Sequence, residues 1–158
     1  MHSARLSVVA VLLSPATALL SPAAAPHAPG TAAQVLTITN VVFTGNLTTP
    51  TVTVSGSGFG ASPPRSFSAA GACNGPRDNG RWYGKRGLWI YDNTNRWGAG
   101  RGDRSGGDCV GIRLRSWSAS KAVYGFGAAY NTHHWFLDAL DTYRITLRGK
   151  HFDGRVTY

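Results

Sequence analysis

The feature that most constrains the fold is a series of short segments in which apolar and polar residues alternate. In Thr142–Leu147 (TYRITL), Tyr143, Ile145 and Leu147 fall on one side and polar residues on the other. Alternation every second residue is the period of a β-strand with one buried face. Only Trp135–Leu140 (WFLDAL) has helical character, and it is too short for more than one or two turns. The pattern therefore predicts an all-β protein.

Thr51–Ser55 alternates in the same way, and other short segments rich in β-branched or apolar residues recur along the chain, separated by turns rich in Gly, Asn, Asp and Pro. The predicted strands are Val35–Phe43, Thr51–Ser55, Leu88–Tyr91, Val110–Leu114, Lys121–Phe126, Thr142–Leu147 and Arg155–Tyr158. The turn Gly45–Pro50 predicts a hairpin of the first two, and Asp153-Gly154 is predicted to turn the chain into the last. About seven short strands with almost no helix predict an antiparallel sandwich or a small barrel.

Alternation also predicts which side chains face the interior. The inward set comprises Val110, Ile112, Leu114, Tyr143, Ile145 and Leu147. The outward set comprises Arg113, Arg115, Arg144 and Arg148. If the two strands concerned share a sheet, these arginines form one basic face.

The first 25 residues have the order of a secretory signal peptide. A basic Arg5 precedes the apolar run Leu6–Leu13, and the small residues Ala23–Ala25 follow. The run is shorter than the about 20 apolar residues that a membrane span needs, and no later segment is long enough. We therefore predict a signal peptide over residues 1–25, a flexible Pro/Ala/Gly leader over 26–34, and a single secreted domain over 35–158.

The charge balance is strongly basic. The chain has 16 Lys and Arg against 7 acidic residues, all of them aspartate. Loss of Arg5 with the signal peptide leaves a net charge of about +8. Such a surface favours polyanions, such as acidic polysaccharides or anionic wall polymers, although a basic surface without a partner remains the alternative.

Two cysteines, Cys73 and Cys109, remain in the predicted mature chain. An even number of cysteines in an oxidising compartment predicts one disulfide. Metal ligation is the alternative, but the chain lacks the paired CxxC spacing that is typical of such sites. The disulfide would stabilise the fold by roughly 3–4 kcal/mol through the entropy of the unfolded chain.

Three segments carry a family resemblance. Ile38–Gly60 (ITNVVFTGNLTTPTVTVSGSGFG) has an I-x-x-hydrophobic strand, a turn and the pattern V-x-V-x-G-x-G-F-G. Trp117–Gly127 (WSASKAVYGFG) and Tyr143–Tyr158 (YRITLRGKHFDGRVTY) are similar to a later strand and to the closing hairpin of the same family. The chain resembles the IPT/TIG-type immunoglobulin-like domains. The resemblance implies a non-catalytic, immunoglobulin-like antiparallel β-sandwich of about seven strands.

The stretch Leu88–Trp117 joins two predicted strands by a long loop of Gly, Asn, Asp and Arg. A loop this long and this polar needs a ligand or a crosslink to order it, which makes it the first candidate for function. It carries Trp97, for which we expect exposure, and Trp82 and Tyr83 precede it in a similarly polar context. Exposed aromatic rings stack on sugars and on bases.

These features predict a non-catalytic module that binds a glycan or an anionic polymer of a cell surface; nucleic acid is not favoured. The predicted stacking residues are Trp82, Tyr83 and Trp97, the hydroxyl-binding residues are Asp92 and Asn93, and the anion-binding residues are Arg96, Arg101 and Arg104. The first alternative is a module that binds or inhibits a secreted protein. The second is a small hydrolase, which would need Asp108 or Asp138 in a pocket beside a histidine such as His133 or His134.

Calcium is the cofactor that the loop could bind. Asp92, Asp103 and Asp108 supply hard oxygen ligands, but their spacing fits no EF-hand. The arginines of the same loop are the alternative partners of these carboxylates.

Overall fold

A computed structural model describes residues 34–68, 79–102 and 110–158. The predicted signal peptide, all of the leader but its last residue, and the Cys73–Cys109 pair lie outside the described residues, as do Asp103, Arg104 and Asp108. In the described ranges the helical structure amounts to four residues, and no helix there has the length and apolarity that crossing a membrane requires.

Among the described residues, eight strands form two four-stranded sheets in which the paired strands are antiparallel. The elements are β1 Thr37–Thr44, β2 Thr51–Ser57, β3 Leu88–Asp92, β4 Trp97–Ala99, β5 Ile112–Trp117, β6 Lys121–Phe126, α1 Ala129–Thr132, β7 Thr142–Leu147 and β8 Lys150–Arg155. The first sheet has the order β1-β2-β6-β5 and the second the order β4-β3-β7-β8. The prediction of an all-β sandwich is confirmed.

The core lies between the sheets and is built from the alternating apolar residues. Val52 and Val54 of β2 and Ile145 of β7 are completely buried. The predicted inward set is confirmed for five of its residues, whereas Leu114 is half-buried. Tyr124 of β6 is also completely buried, and burial raises the pKa of its hydroxyl because the phenolate is poorly solvated there.

The β7–β8 hairpin turns at a different place from the predicted one. Arg148 (φ 47°) and Gly149 (φ 80°) form its two-residue turn, and Leu147 pairs with Lys150. Positive φ at both positions is typical of the type I′ turn, which matches the twist of the flanking strands. The predicted turn at Asp153-Gly154 is wrong, because Gly154 lies inside β8. A Cβ there would come within 2.6 Å of the Tyr143 hydroxyl, so this glycine provides room for the ring.

The predicted helical character of Trp135–Leu140 is wrong, since the short helix α1 precedes it. The segment is instead held in an irregular conformation at Leu137. Its N–H donates to the Tyr130 hydroxyl (3.1 Å), and its carbonyl accepts from the Tyr158 hydroxyl (3.0 Å). Tertiary hydrogen bonds from two tyrosines thus replace those that a helix would supply.

The predicted outward arginines do not share a sheet. Arg113 and Arg115 lie on β5 of the first sheet, whereas Arg144 lies on β7 of the second and Arg148 follows it. All four side chains are exposed, as expected. The condition for one basic face on a single sheet is therefore not met.

Candidate functional site

The polar stretch after β3 begins with a tight hairpin. Asp92 pairs with Trp97, and the Arg96 N–H donates to the Asp92 carbonyl (3.0 Å) with Arg96 in the left-handed region (φ 59°). Trp97 therefore opens strand β4 and is only 2% exposed. Its ring packs edge-on against Tyr130 (5.6 Å between centroids) and lies nearly parallel to Trp135 (6.3 Å). The expected exposure of Trp97 is wrong, because a three-residue edge strand directs the ring into the core.

Trp82 and Tyr83 are also buried, with 5% and 8% exposure. Trp82 pairs with Phe67 through two backbone hydrogen bonds, and the Tyr83 N–H donates to the Gly100 carbonyl (2.6 Å). Burial raises the pKa of the Tyr83 hydroxyl. The three residues predicted to stack on a ligand are thus all more than nine-tenths buried, so the expected exposed platform is not formed.

Asp92 is an internal hydrogen-bond acceptor. Its Oδ1 accepts from the backbone N–H groups of Thr94 (2.8 Å) and Asn95 (3.0 Å), and its Oδ2 accepts from the Asn95 side chain (3.0 Å). Asp92 is 1% exposed, and burial raises the pKa of its carboxyl despite these bonds. The neighbouring Asn93 is exposed. Of the two predicted hydroxyl-binding residues, only Asn93 has its side chain on the surface.

The two described arginines of the predicted site are separated by strand β4. Arg96 precedes β4 and is exposed, whereas Arg101 follows it and is partly buried. The Arg101 guanidinium lies 5.3 Å from the Trp89 ring centroid, on the outer face of the second sheet. The Trp89 side chain is thus engaged twice: its ring by this cation–π contact, and its Nε1–H by a hydrogen bond to the Lys85 carbonyl (2.9 Å).

Of the three aspartates predicted to bind calcium, the structure describes Asp92 alone, and both of its carboxylate oxygens are engaged within the chain. In the ranges that the structure covers, no three His, Cys or acidic side chains come together as a metal site. Calcium binding by this loop stays a prediction.

An open depression of about 400 Å³ collects four cationic side chains, of which the sequence patterns singled out only Arg148, as a member of the outward set. It is lined by Arg65, Lys85, Arg86 and Arg148, with Pro64, Tyr83 and two glycines between them. We call it the basic depression. Its residues come from three separate segments: the chain after β2, the turn before β3, and the β7–β8 turn.

The turn Gly84–Gly87 presents two of these cations. The Gly87 N–H donates to the Gly84 carbonyl (3.0 Å), which places Lys85 and Arg86 at the two corners of a β-turn. The Arg148 N–H donates to the Gly87 carbonyl (2.8 Å) and so joins this turn to the β7–β8 turn. A Cβ at Gly87 would lie 2.0 Å from the Tyr83 carbonyl oxygen, so the close approach requires glycine.

The Arg148 side chain is fixed by backbone carbonyls. Its Nε donates to the Phe59 carbonyl (2.9 Å) and its Nη2 to the Ser62 carbonyl (2.7 Å). A guanidinium has five N–H donors, so three remain for a ligand. These bonds hold the arginine in place at the rim of the basic depression. Because the carbonyl partners are neutral, they do not compensate its positive charge.

Electrostatics in the described part of the chain are dominated by cations. Thirteen of the 16 Lys and Arg residues lie there against four of the 7 aspartates. Asp92 and Asp141 are buried, and Asp153 forms an ion pair with Arg144 (2.8 Å) that lowers the pKa of its carboxyl. No acidic side chain lines the basic depression among the residues that the structure describes.

A second concave site lies at the other end of the β3–β7 pair and has a cavity volume of about 260 Å³. It is lined by Asn95, Trp97, His134, Trp135, Phe136 and Asp138. We call it the aromatic cleft. The hydrogen bonds of Leu137 to two tyrosine hydroxyls hold the segment that carries most of these side chains.

The residues considered for hydrolysis partly meet in the aromatic cleft, which contains both His134 and Asp138. Within the described residues no hydrogen bond joins these two side chains. His133 instead stacks on Trp135 (4.7 Å between centroids), while His134 meets the ring of Phe136 edge-on (5.7 Å). The adjacent histidines therefore contact different rings, and neither forms a hydrogen bond with an aspartate in the part of the chain that the structure describes.

The sequence holds a weak signal for the basic depression: Lys85 and Arg86 stand between Gly84 and Gly87, a turn pattern with two cations at its corners. No local signal joins this turn to Arg65 or Arg148. Comparisons with protein-family models, with curated proteins and with solved structures found no match to this chain.

Proposed function

We propose that the protein is an exported, non-catalytic module that binds an anionic polymer of a cell surface through the basic depression. The observation that carries the proposal is the convergence of Arg65, Lys85, Arg86 and Arg148 on one concavity without an acidic neighbour among the described residues. Like charges repel, so four of them gathered without a counter-ion favour an anionic ligand.

The shape of the depression favours a polymer over a small anion. It is open, and its cations project from three chain segments instead of enclosing one point. Arginine forks bind phosphate and carboxylate groups in a bidentate manner, whereas lysine acts as a point charge. A polymer with repeated anionic groups can contact several of these side chains at once.

We propose further that the sandwich is of immunoglobulin-like topology, as the resemblance of Ile38–Gly60 to IPT/TIG-type domains implies. The sheet orders support this proposal. Immunoglobulin domains pack a sheet of strands A-B-E-D against a sheet of C-F-G, extended in some members by C′ beside C. Lettering the eight strands in chain order gives A-B-E-D and C′-C-F-G.

The test compares two triple variants that lose the same charge. R65Q/K85Q/R86Q removes three cations of the basic depression, and R113Q/K121Q/R155Q removes three exposed cations elsewhere. The probe is long-chain polyphosphate, with neutral dextran as the uncharged control. We expect the first variant to bind polyphosphate about tenfold more weakly than the second, since each exposed ion pair contributes up to about 1 kcal/mol.

Salt dependence provides the second readout. The slope of log K against log salt should fall by about 2 for the depression variant, on the scale of about 0.7 per phosphate contact of a flexible strand. If both variants lose the same affinity and the same slope, binding follows net charge alone and the basic depression is not the site. If dextran binds as tightly as polyphosphate, charge does not determine binding and the proposal of an anionic ligand is wrong.

A further inference from the structure

The aromatic cleft combines half-buried rings with polar groups whose hydrogen-bonding capacity is unused. We propose that it binds one neutral sugar ring, as a site separate from the basic depression. A cavity volume of about 260 Å³ is below the roughly 300–1,000 Å³ of sites for drug-sized ligands and suits a single ring. The proposal does not depend on the anionic ligand proposed above.

The side-chain amide of Asn95 supplies the first fixed group. Its Nδ2 donates to Asp92 Oδ2 (3.0 Å) and to Asp141 Oδ2 (2.9 Å), so both N–H bonds are used on buried carboxylates. Since carboxylates accept and do not donate when ionised, these partners define which amide atom is nitrogen. The amide oxygen of Asn95 is left as an acceptor of fixed orientation at the cleft.

Trp97 and Asp138 supply a donor and a second acceptor. The Trp97 ring lines the cleft, and the residue is only 2% exposed. Its Nε1–H has no hydrogen-bond partner in the described structure. A buried donor without a partner costs free energy, which a ligand oxygen would recover. The Asp138 side chain is exposed, and no hydrogen bond to its carboxylate occurs within the described ranges.

Two half-buried rings, Trp135 and Phe136, complete the lining. The Trp135 ring contacts Trp97 (6.3 Å between centroids, 24° between planes) and His133 (4.7 Å, 26°), and these contacts restrain its orientation. The C–H bonds of a pyranose pack against such an aromatic surface, while its hydroxyls reach the polar groups around it. The restrained ring means that little side-chain entropy is lost on binding.

A sugar fits this set of groups better than an organic cation does. Aromatic rings beside a carboxylate also bind alkylammonium ions through cation–π contacts. An ammonium ion, however, has no lone pair and cannot accept a hydrogen bond from the Trp97 Nε1–H. A sugar hydroxyl both accepts and donates hydrogen bonds, so sugars match the donor of Trp97 Nε1–H as well as the acceptors of Asn95 and Asp138.

The experiment titrates the full chain with glucose, galactose, mannose and N-acetylglucosamine and follows the indole N–H signals of the five tryptophans by NMR. We expect at least one sugar to shift the Trp97 and Trp135 signals saturably. D138A should weaken that binding about tenfold, whereas D153A, which removes another exposed aspartate, should leave it unchanged. W135A should abolish it, and D138A provides the test if W135A does not fold.

The proposal is overturned if none of the four sugars shifts these signals saturably, or if D138A and D153A behave alike. Saturable shifts with tetramethylammonium but not with sugars would also overturn it and identify a cation cage. The R65Q/K85Q/R86Q variant should retain sugar binding, so the failure of one site is distinguishable from the failure of the other.

Discussion

The two ends of the β3–β7 strand pair differ in how they are built. One end carries the basic depression, at the start of β3 and the end of β7; the other carries the aromatic cleft, where β3 ends and β7 begins. β3 spans five residues, so the ends are separated by roughly 13 Å at about 3.3 Å per residue. The same two strands thus support two unlike surfaces.

The difference lies in what holds each surface in place. The cations of the basic depression are exposed side chains on turns whose positions are set by backbone hydrogen bonds. The aromatic cleft is continuous with the core, through the buried Trp97 and the buried carboxylates of Asp92 and Asp141. Changes at the basic end should therefore alter binding with little effect on stability, whereas changes at the aromatic end should alter both.

The largest contrast is expected between W97A and R86A. Removing the buried indole should lower the free energy of unfolding by about 3–5 kcal/mol, through lost apolar contact and the cavity that remains. Removing the exposed Arg86 side chain should change it by less than about 0.5 kcal/mol. Urea denaturation of both variants measures the difference. A loss below about 1 kcal/mol for W97A would contradict its packing in the core.

A smaller effect is expected when the donor shared by the buried carboxylates is removed. N95A leaves Asp92 Oδ2 and Asp141 Oδ2 without the Asn95 amide, and hydrogen bonds to charged groups contribute about 1.5–3 kcal/mol. We expect a loss of about 2 kcal/mol in the same denaturation experiment. N93A is the matched control, because the exposed Asn93 makes no side-chain hydrogen bond in the described structure. Equal losses for both variants would show that the network does not stabilise the turn.

The pKa values of the buried Asp92 and the exposed Asp153 should be shifted in opposite directions. Burial raises the pKa of Asp92 above 3.8, so its contribution to stability is full below that value and is lost as pH rises through the folded pKa. The Arg144 ion pair lowers the pKa of Asp153 below 3.8, so its contribution is present above that value and is lost as pH falls through the folded pKa. NMR titration of the two carboxyl carbons measures both. Shifts of the same sign would remove the contrast between buried and exposed acids.

The smallest effect on stability is expected at the basic end. R65Q/K85Q/R86Q removes three exposed cations that make no ion pair with a described acidic residue. The free energy of unfolding should stay within about 0.5 kcal/mol of the wild type or rise slightly, because repulsion among the cations is relieved. Thermal unfolding at low salt measures it. A clear destabilisation would mean that these side chains hold the fold and not only a ligand.

Local sequence patterns predicted the parts of the fold that depend on neighbouring residues. Two-residue alternation predicted the positions of β2 and β7, because one buried sheet face requires that period, and short apolar runs between turns predicted those of β3 and β6. The turn composition of Gly45–Pro50 predicted the β1–β2 hairpin, in which Thr44 pairs with Thr51. These are local properties, and they were sufficient for the all-β sandwich.

The surfaces that the polar segments present depend on long-range packing, which the local patterns did not predict. Trp97 is buried because a three-residue strand pairs with β3, and so short a strand leaves no periodic pattern. Arg148-Gly149, not Asp153-Gly154, turns the last hairpin, and Gly154 lies inside β8, where the Tyr143 hydroxyl leaves no room for a Cβ. Arg65, Lys85 and Arg148 line one depression, although more than eighty residues of sequence separate Arg65 from Arg148. Such contacts depend on how strands pair and pack, which no local stretch of residues encodes.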